Sequence, residues 1–246
     1  MHPVVIALKY LTSFQFGKPK GFKYEELKQS VPFFPLIGVF LGMLLVLENL
    51  LFAHLLPKEV VSVLILFTLF VITNKRLYKG AGYVSEAYFN GKNSTQRESI
   101  IKSYPFGYYG ILGIFFAIIL KYSALNSITD EHQNQMIATM PLYSRWSIAY
   151  LAFSTSLKGA DSLNCDRLFP KIDFKEFSVA TFFLVLGGVL TLGIQFFLIF
   201  VINFIVTISG QFILNKTFKN LSDSIIGAFN EFTEVSTILT GFILIW

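Results

Sequence analysis

The sequence predicts an all-α fold, a polytopic transmembrane helical bundle with about seven spans, with six spans as the second choice. Hydrophobic residues make up 54% of the 246 residues, charged residues only 14%, and there are 28 Phe. A soluble domain carries roughly 25% charged residues. Several apolar runs approach or reach the ~20 helical residues that cross a bilayer. We therefore expect the chain to lie in a lipid bilayer.

The charge pattern indicates how the chain is oriented in the membrane. The net charge is +5, and the basic residues lie in the loops that flank the apolar runs. Such loops usually face the cytoplasm. This distribution favours a multi-pass protein of the inner cell membrane over a nucleic-acid-binding protein, so no nucleic-acid partner is expected. No internal repeat or low-complexity linker interrupts the chain, and residues 1–246 are predicted to form a single domain.

The first half of the chain predicts a short helix, two spans and a polar segment. Residues 4–16 are apolar but too short to span, which favours an interfacial or re-entrant helix. Residues 31–56 and 60–73 are predicted as the first two spans. Residues 74–110 form the longest polar segment, and part of any active site is expected there. Within it, Asn90 and Gly91 predict a turn. A capping box from Thr95 to Glu98 predicts a short helix that ends near Ser103.

The second half predicts the remaining spans. Residues 108–125 form the third span, and residues 136–153 form the fourth. A straight helix over residues 178–209 would rise ~48 Å, well beyond the hydrocarbon core. Two shorter spans that turn near Gly193 fit better, and they also keep every basic loop on one side of the membrane. Residues 224–246 are the last span.

Arg145 is the most unusual residue of the fourth span. A charge at the centre of a membrane helix costs a few kcal/mol, so such residues usually face the bundle interior or a wet cavity. Glu48 lies within the first span and could pair with Arg145. The sequence leaves two roles open for Arg145, one in a functional site and one in a buried structural ion pair.

Polar residues form a stripe on the last span. At 100° per residue, Asn230 and Glu234 each fall within roughly 20° of Asp223. Gly227 lies on the same side and leaves room beside them, and Glu231 flanks the stripe. Grouped carboxylates suit a divalent cation and the phosphates that it binds, because hard cations take oxygen ligands. The alternative is a polar seam that hydrogen-bonds to neighbouring helices.

Five blocks in the same order resemble the cobalamin synthase family, the adenosylcobinamide-GDP ribazoletransferases. The blocks of this chain are LKYLTSFQFGKP, VPFFPLIGVFLG, SYPFGYYGILGI, YSRWSIAY and NLSDSIIGAFNEFTE. They are similar to the family's "LTRIP" motif, "FPLVGLLIG", "DSRIGTYGVLAL", its Gly-Arg-Trp turn and "TGDTLGAxxELTE". The resemblance covers nearly the whole chain.

The resemblance implies a membrane enzyme that requires Mg²⁺ and takes adenosylcobinamide-GDP and α-ribazole as substrates. In this family, the 5′-hydroxyl of α-ribazole attacks the cobinamide-linked phosphate, cobalamin forms and GMP leaves. The resemblance leaves open a homo-oligomer or an association with other enzymes of cobalamin assembly.

The chain departs from the family where the metal is expected. The family motif "HLDGLADTADGL" corresponds to RLYKGAGYVSEAY, so its three aspartates become Lys79, Tyr83 and Glu86. The aspartate and arginine of "DSRIG" become Ser103 and Pro105. A lysine at a ligand position opposes a cation electrostatically. The positions that match the family are Arg145, Asp223, Gly227, Glu231 and Glu234.

The implied site lies on the cytoplasmic side and combines both parts of the chain. The implied metal ligands are Glu86, Asp223, Glu231 and Glu234. The implied catalytic residues are Glu86, Glu231 and Arg145, and the implied substrate-binding residues are Arg76, Lys79 and Asn230.

Two other functions remain open from the sequence. The lost aspartates favour a non-catalytic member of the family that binds a corrinoid, a nucleotide or a partner synthase in the membrane. Buried polar residues also occur in transport paths, so a small transporter or a structural bundle is the third hypothesis.

Overall fold

The computed structural model describes residues 2–14, 23–103, 105–157 and 169–245, and this part of the chain confirms the all-α class. Extended pairing in these ranges is confined to isolated bridge positions, one pair of which is Thr12 and Thr73. The helices in these ranges are α1 Pro3–Leu11, α2 Tyr24–Ser30, α3 Phe34–Phe52, α4 Lys58–Ile72, α5 Lys75–Asn90, α6 Ser94–Lys102, α7 Tyr108–Ser127, α8 Asp130–Ser154, α9 Phe174–Leu192, α10 Gln195–Thr217 and α11 Asp223–Ile245. A 3₁₀ turn, Val31–Phe33, joins α2 to α3.

Long apolar helices confirm that the chain is a membrane protein. Four described segments are long and apolar enough to cross a bilayer, namely Tyr24–Phe52, Tyr108–Ser127, Phe174–Leu192 and Gln195–Thr217. Helices α8 and α11 have 25 and 23 residues but are less apolar. They pack at the centre of the bundle, where α8 buries nearly every side chain from Met136 to Ala152. The predicted number of seven spans stays a prediction.

The polar connecting segments meet at one end of the bundle. Glu98 in α6 accepts a hydrogen bond from Asn220 Nδ2 at 2.8 Å, just before α11. The N–H of Phe169 donates to the carbonyl of Leu221 at 2.9 Å, which brings in the segment before α9. We call this the basic end, because the segments that meet here carry Lys102, Lys171 and Lys219.

Two pairs mark the opposite end of the bundle. Lys58 Nζ lies 2.8 Å from Asp130 Oδ1, at the starts of α4 and α8. Asn49 Nδ2 donates to Asn134 Oδ1 at 2.8 Å. Helices α4 and α8 therefore begin at this end, and α3 approaches it near its last turn.

The predicted division of residues 178–209 is confirmed. Helix α9 ends at Leu192 and α10 begins at Gln195. Gly193 between them has φ +57°, a conformation that glycine adopts without a steric cost.

The polar segment 74–110 contains a long helix before the predicted turn, which the sequence analysis did not predict. Residues Lys75–Asn90 form the 16-residue helix α5, which packs against α11 and α7. Its buried face consists of small and apolar side chains, including Leu77, Ala81 and Ala87, while Lys79 on another face is half-buried. The segment is thus an amphipathic helix, whose average polarity hides its apolar stripe.

The start of α6 differs from the predicted capping box. The N-cap is Asn93, whose side chain accepts a hydrogen bond from the Gln96 N–H at 2.9 Å, so Thr95 lies inside the helix. Asn is among the best N-cap residues, and it outcompetes the threonine two positions later.

Helices α5 and α11 cross at two glycines. A Cβ atom on Gly227 would meet the backbone of Leu77, and one on Gly80 would meet the backbone of Ser224 and Gly227. The room that Gly227 was predicted to leave beside the polar stripe is filled by the backbone of α5. Small residues allow such close helix contacts in membranes.

We expect Gly227→Ala to lower the free energy of unfolding by ~1–3 kcal/mol, because the new methyl group forces two backbones apart. The change is measured by thermal or denaturant unfolding in detergent. Gly187→Ala on α9 is the matched control. The atoms nearest to its Cβ would be side-chain methyl carbons of Leu142 and Val39, at 3.0–3.5 Å, and it gains the same helix propensity of ~1 kcal/mol. Equal effects at the two glycines would contradict the close backbone crossing.

Candidate functional site

Four charged side chains form a buried cluster in the middle of the bundle. Lys121 Nζ of α7 lies 2.7 Å from Glu231 Oε2 and 2.5 Å from Glu234 Oε2, both on α11. Arg145 Nη1 of α8 lies 2.7 Å from Glu234 Oε1. None of the four side chains is more than 4% exposed. Two positive and two negative charges balance, as burial in an apolar environment requires.

A narrow stripe on α7 explains how Lys121 reaches this cluster. The buried residues of α7 are Gly110, Lys121, Ala124 and Leu125, and most of the helix exposes large apolar side chains. Gly110 and Lys121 are 11 residues apart, about three helical turns, so they share a face. Helix α7 thus turns one lysine towards α11 and its other residues outwards.

The Arg145 guanidinium connects three helices. Nη1 donates to Glu234 Oε1, to Asn230 Oδ1 and, at 2.9 Å, to Ser144 Oγ. Nη2 donates to Thr73 Oγ1 at the end of α4, at 3.1 Å. Asn230 Nδ2 in turn donates to Glu234 Oε1 at 3.1 Å. Arg145 and Asn230, predicted as catalytic and substrate-binding residues, are fully buried and bond to each other.

The predicted ion pair between Glu48 and Arg145 is wrong. Glu48 Oε1 accepts a hydrogen bond from Thr68 Oγ1 at 2.8 Å, between α3 and α4. Arg145 instead uses Glu234, because α8 packs with its arginine towards α11.

Glu86 stabilises the start of α7. Its Oε2 accepts a hydrogen bond from the Gly110 N–H at 2.8 Å, and its Oε1 accepts one from Asn90 Nδ2 at 2.5 Å. Gly110 lies in the first turn of α7, where backbone N–H groups lack helical partners and the helix dipole favours a negative charge. This contact gives the carboxylate a structural role.

The remaining predicted residues lie nearer the basic end. Asp223 Oδ1 accepts a hydrogen bond from Tyr10 Oη at 2.7 Å, which joins α1 to the start of α11. Asp223 precedes Glu231 by eight residues, or ~12 Å along the helix. Lys79 is half-buried on α5. Arg76 also lies on α5, but its side chain is outside the described part of the structure.

The four predicted metal ligands are not brought together. Glu86 caps α7, Asp223 bonds to Tyr10, and the two glutamates of α11 bond to Lys121. In the described ranges, no group of three or more His, Cys, Asp and Glu residues is placed to hold a metal ion. The ammonium of Lys121 lies between the two carboxylates, where it supplies the positive charge that a cation would bring. This arrangement does not fit the predicted Mg²⁺ site, and the Mg²⁺ requirement stays a prediction.

Lys121 is the residue that the sequence analysis missed. It is the only charged residue within residues 108–125, the predicted third span. A lone ionisable residue in such a run usually marks a buried partner or a functional site. That signal was available, although its two partners on α11 were not.

Comparisons with known proteins agree with one another. A family model described as "Cobalamin-5-phosphate synthase" matches residues 3–242. A protein of Clostridium tetani named adenosylcobinamide-GDP ribazoletransferase is 23% identical over 98% of this chain and 96% of its own length. Proteins of the same name are 22% identical in Caldanaerobacter subterraneus, covering 94% of both chains, and 24% identical in Geotalea daltonii, covering 96% and 94%. No solved structure matches the chain.

Proposed function

The chain belongs to the cobalamin-5-phosphate synthase family, and we propose that it transfers α-ribazole to adenosylcobinamide-GDP. The observation that carries this proposal is the match of the family model to residues 3–242, nearly the whole chain. The relatives named adenosylcobinamide-GDP ribazoletransferase are likewise covered almost from end to end. The chain is therefore comparable to those enzymes throughout.

The proposed reaction is a displacement at phosphorus. The 5′-hydroxyl oxygen of α-ribazole forms a bond to the cobinamide-linked phosphorus. The bond from that phosphorus to the bridging oxygen of the diphosphate breaks, and GMP leaves with the oxygen and the electron pair. The hydroxyl proton passes to solvent. Negative charge on the phosphate oxygens is what the protein has to offset.

We assign the diphosphate to the N-terminal half of α5, where Arg76 and Lys79 lie near the basic end. Lysine and arginine offset phosphate charge in the transition state without a metal ion. In this proposal the site lies on the cytoplasmic side of the inner membrane, which the excess of lysine and arginine in cytoplasmic loops favours. It also accounts for Lys79 at a family aspartate position, because a lysine there supplies part of the positive charge that a metal ion held by an aspartate would bring to the phosphates.

Glu86 and Arg145 act in this proposal as positioning residues. Glu86 fixes the start of α7, and Arg145 holds α4, α8 and α11 together. Both groups lie away from bulk solvent, 8% and 0% exposed. The Mg²⁺ requirement implied by the family is tested separately, by adding a chelator to the assay.

The transfer assay uses purified protein in detergent with adenosylcobinamide-GDP and α-ribazole. We expect equal amounts of GMP and cobalamin to form. Lys79→Met should lower the rate by ~100-fold, because it removes a charge from the phosphate site. Lys92→Met, at an exposed turn residue beyond α5, is the matched control and should leave the rate within about twofold.

Three outcomes are informative here. The absence of GMP release above a protein-free blank would overturn the transfer proposal. Equal rates for the Lys79 and Lys92 variants would overturn only the phosphate site. Undiminished activity in excess chelator would contradict the Mg²⁺ requirement and leave the transfer intact.

The second candidate function is a non-catalytic family member that binds a corrinoid or a nucleotide. The observation that favours it is Lys121, whose ammonium already binds both glutamates of the C-terminal motif. It predicts that the gene fails to restore cobalamin synthesis in a synthase-deficient cell, although the purified protein binds adenosylcobinamide-GDP. Restored synthesis would reject it.

A further inference from the structure

A groove opens between α7 and α10, close to the buried ion cluster. Each of these two helices packs against α11, but they make little contact with each other in the described part of the chain. The space between them has a volume of about 360 Å³, and α5 and α11 form its floor. Its walls include Phe116 and Ala117 of α7, Ile213 of α10, and Phe229 and Phe232 of α11. A volume of this size is typical of small-molecule sites.

One of the groove-lining side chains, that of Glu231, has a carboxylate oxygen without a partner among the described residues. Glu231 is the only ionisable residue among the described residues that line the groove. Its Oε2 bonds to Lys121, but its Oε1 is buried and has no hydrogen-bond partner among the described residues. A buried polar atom left unpaired costs ~1–3 kcal/mol. The groove therefore lacks one hydrogen-bonding group, which a ligand can supply.

The apolar lining and the unpaired oxygen of Glu231 together favour a ligand that has a flat apolar ring and one hydrogen-bonding nitrogen. The phenylalanine rings favour an aromatic ligand, because aromatic pairs gain energy beyond the area that they bury. A lipid acyl chain would fill the walls but would leave Glu231 Oε1 unpaired. A sugar or a phosphate would place polar groups against an almost wholly apolar lining.

We propose that the groove binds the benzimidazole base of ribazole, with the free ring nitrogen against Glu231 Oε1. This inference rests on the proposed function, which supplies the substrate. The ring nitrogen and the carboxylate oxygen are both acceptors, so one proton lies between them, carried by either group. The start of α11 at the basic end is ~12 Å from Glu231 along the helix. The ribose then extends from the base towards the proposed diphosphate site.

A pair of ligands tests the nitrogen contact without changing the protein. Binding of 1-methylbenzimidazole and of 1-methylindole to the purified full chain is measured by equilibrium dialysis, with no second substrate present. The two compounds have the same shape and differ by one ring nitrogen, and the methyl group takes the place of the sugar. We expect 1-methylbenzimidazole to bind at least tenfold more tightly. Equal affinities would overturn the proposal and favour a general apolar or lipid groove.

A second measurement tests the location. Ala117→Phe fills the groove and should weaken 1-methylbenzimidazole binding at least tenfold. The neighbouring Ile118, 41% exposed on α7, is outside the lining, so Ile118→Phe is the matched control and should bind normally. Equal binding by the two variants would overturn the location.

The binding measurements and the transfer assay test the two proposals separately, so either proposal can be overturned while the other stands. Tight, nitrogen-dependent binding in a protein that releases no GMP would support the groove and overturn the transfer. GMP release by a protein with equal affinity for both compounds would support the transfer and overturn the groove.

Discussion

Lys121→Met is expected to lower the free energy of unfolding by ~3–5 kcal/mol, the cost of removing one partner from a buried ion pair. The ammonium contacts Glu231 at 2.7 Å and Glu234 at 2.5 Å, and all three side chains are almost completely buried. Methionine has a similar length but no charge, so Arg145 would be the only cation left in the cluster to balance the two glutamates. The change is measured by denaturant titration of the purified protein in detergent.

An exposed lysine provides the matched control. Lys28 lies 2.9 Å from Asp173 at the basic end, and the two side chains are 22% and 76% exposed. Lys28→Met should cost less than ~1 kcal/mol, because water screens exposed pairs. The double variant Lys121→Met, Glu231→Met should recover much of the loss, since it removes the charge left unpaired. Equal losses for the two single variants would contradict a buried, balanced cluster.

Composition and helical periodicity carried most of the fold prediction. The excess of apolar residues predicted a membrane bundle. The length of residues 178–209 predicted a turn near Gly193, and the structure has its turn there. These features depend on properties of single segments, such as their length and average polarity. They can therefore be read from one sequence.

The polar stripe on α11 was also predictable, although its chemical role was not. Helical geometry placed Asn230 and Glu234 on one face, and both are fully buried. Their partners come from other helices, since Arg145 is 89 residues before Glu234 and Lys121 is 113 residues before it. Contacts over such separations depend on how helices pack, and periodicity contains no information about that.

Helix α5 was missed by the sequence analysis for a different reason. Its sequence has low average hydropathy, which indicates a loop when the segment is judged as a whole. Gly80 allows α5 to lie directly against α11, so the stripe that contains Leu77 and Ala81 becomes buried. The small residues let this helix pack into the core, but they contribute little to the average hydropathy of the segment.

The carboxylates that the family resemblance assigns to a metal all have partners within the chain. Glu86 accepts a backbone N–H, Asp223 accepts a tyrosine hydroxyl, and the two glutamates of α11 accept Lys121. The two glutamates of α11 thus bond to a cationic side chain, whereas the contacts given above for Glu86 and Asp223 are to neutral groups. Lys79 stands at a family aspartate position. At the α11 pair, a fixed cation lies between the two carboxylates.

Arg145→Lys is expected to slow ribazole transfer by ~100-fold, although it keeps the positive charge. The guanidinium donates in two directions, to Glu234 and Asn230 through Nη1 and to Thr73 through Nη2. A lysine is a single point donor and cannot reproduce this fork. The end of α4 would then shift relative to α11, and a misplacement of ~1 Å costs about 100-fold in rate.

The comparison of stability and rate separates geometry from charge. Arg145→Lys should lower the free energy of unfolding by only ~1–3 kcal/mol, because the cluster stays neutral and loses hydrogen bonds alone. Arg97→Lys, on α6 with its guanidinium 5.6 Å from the ring of Tyr88, is the matched arginine control. Arg97→Lys should change the transfer rate by no more than about twofold and the free energy of unfolding by no more than ~1 kcal/mol. If Arg145→Lys transfers ribazole at the normal rate while Arg145→Met is inactive, charge alone matters and the fork does not align the helices.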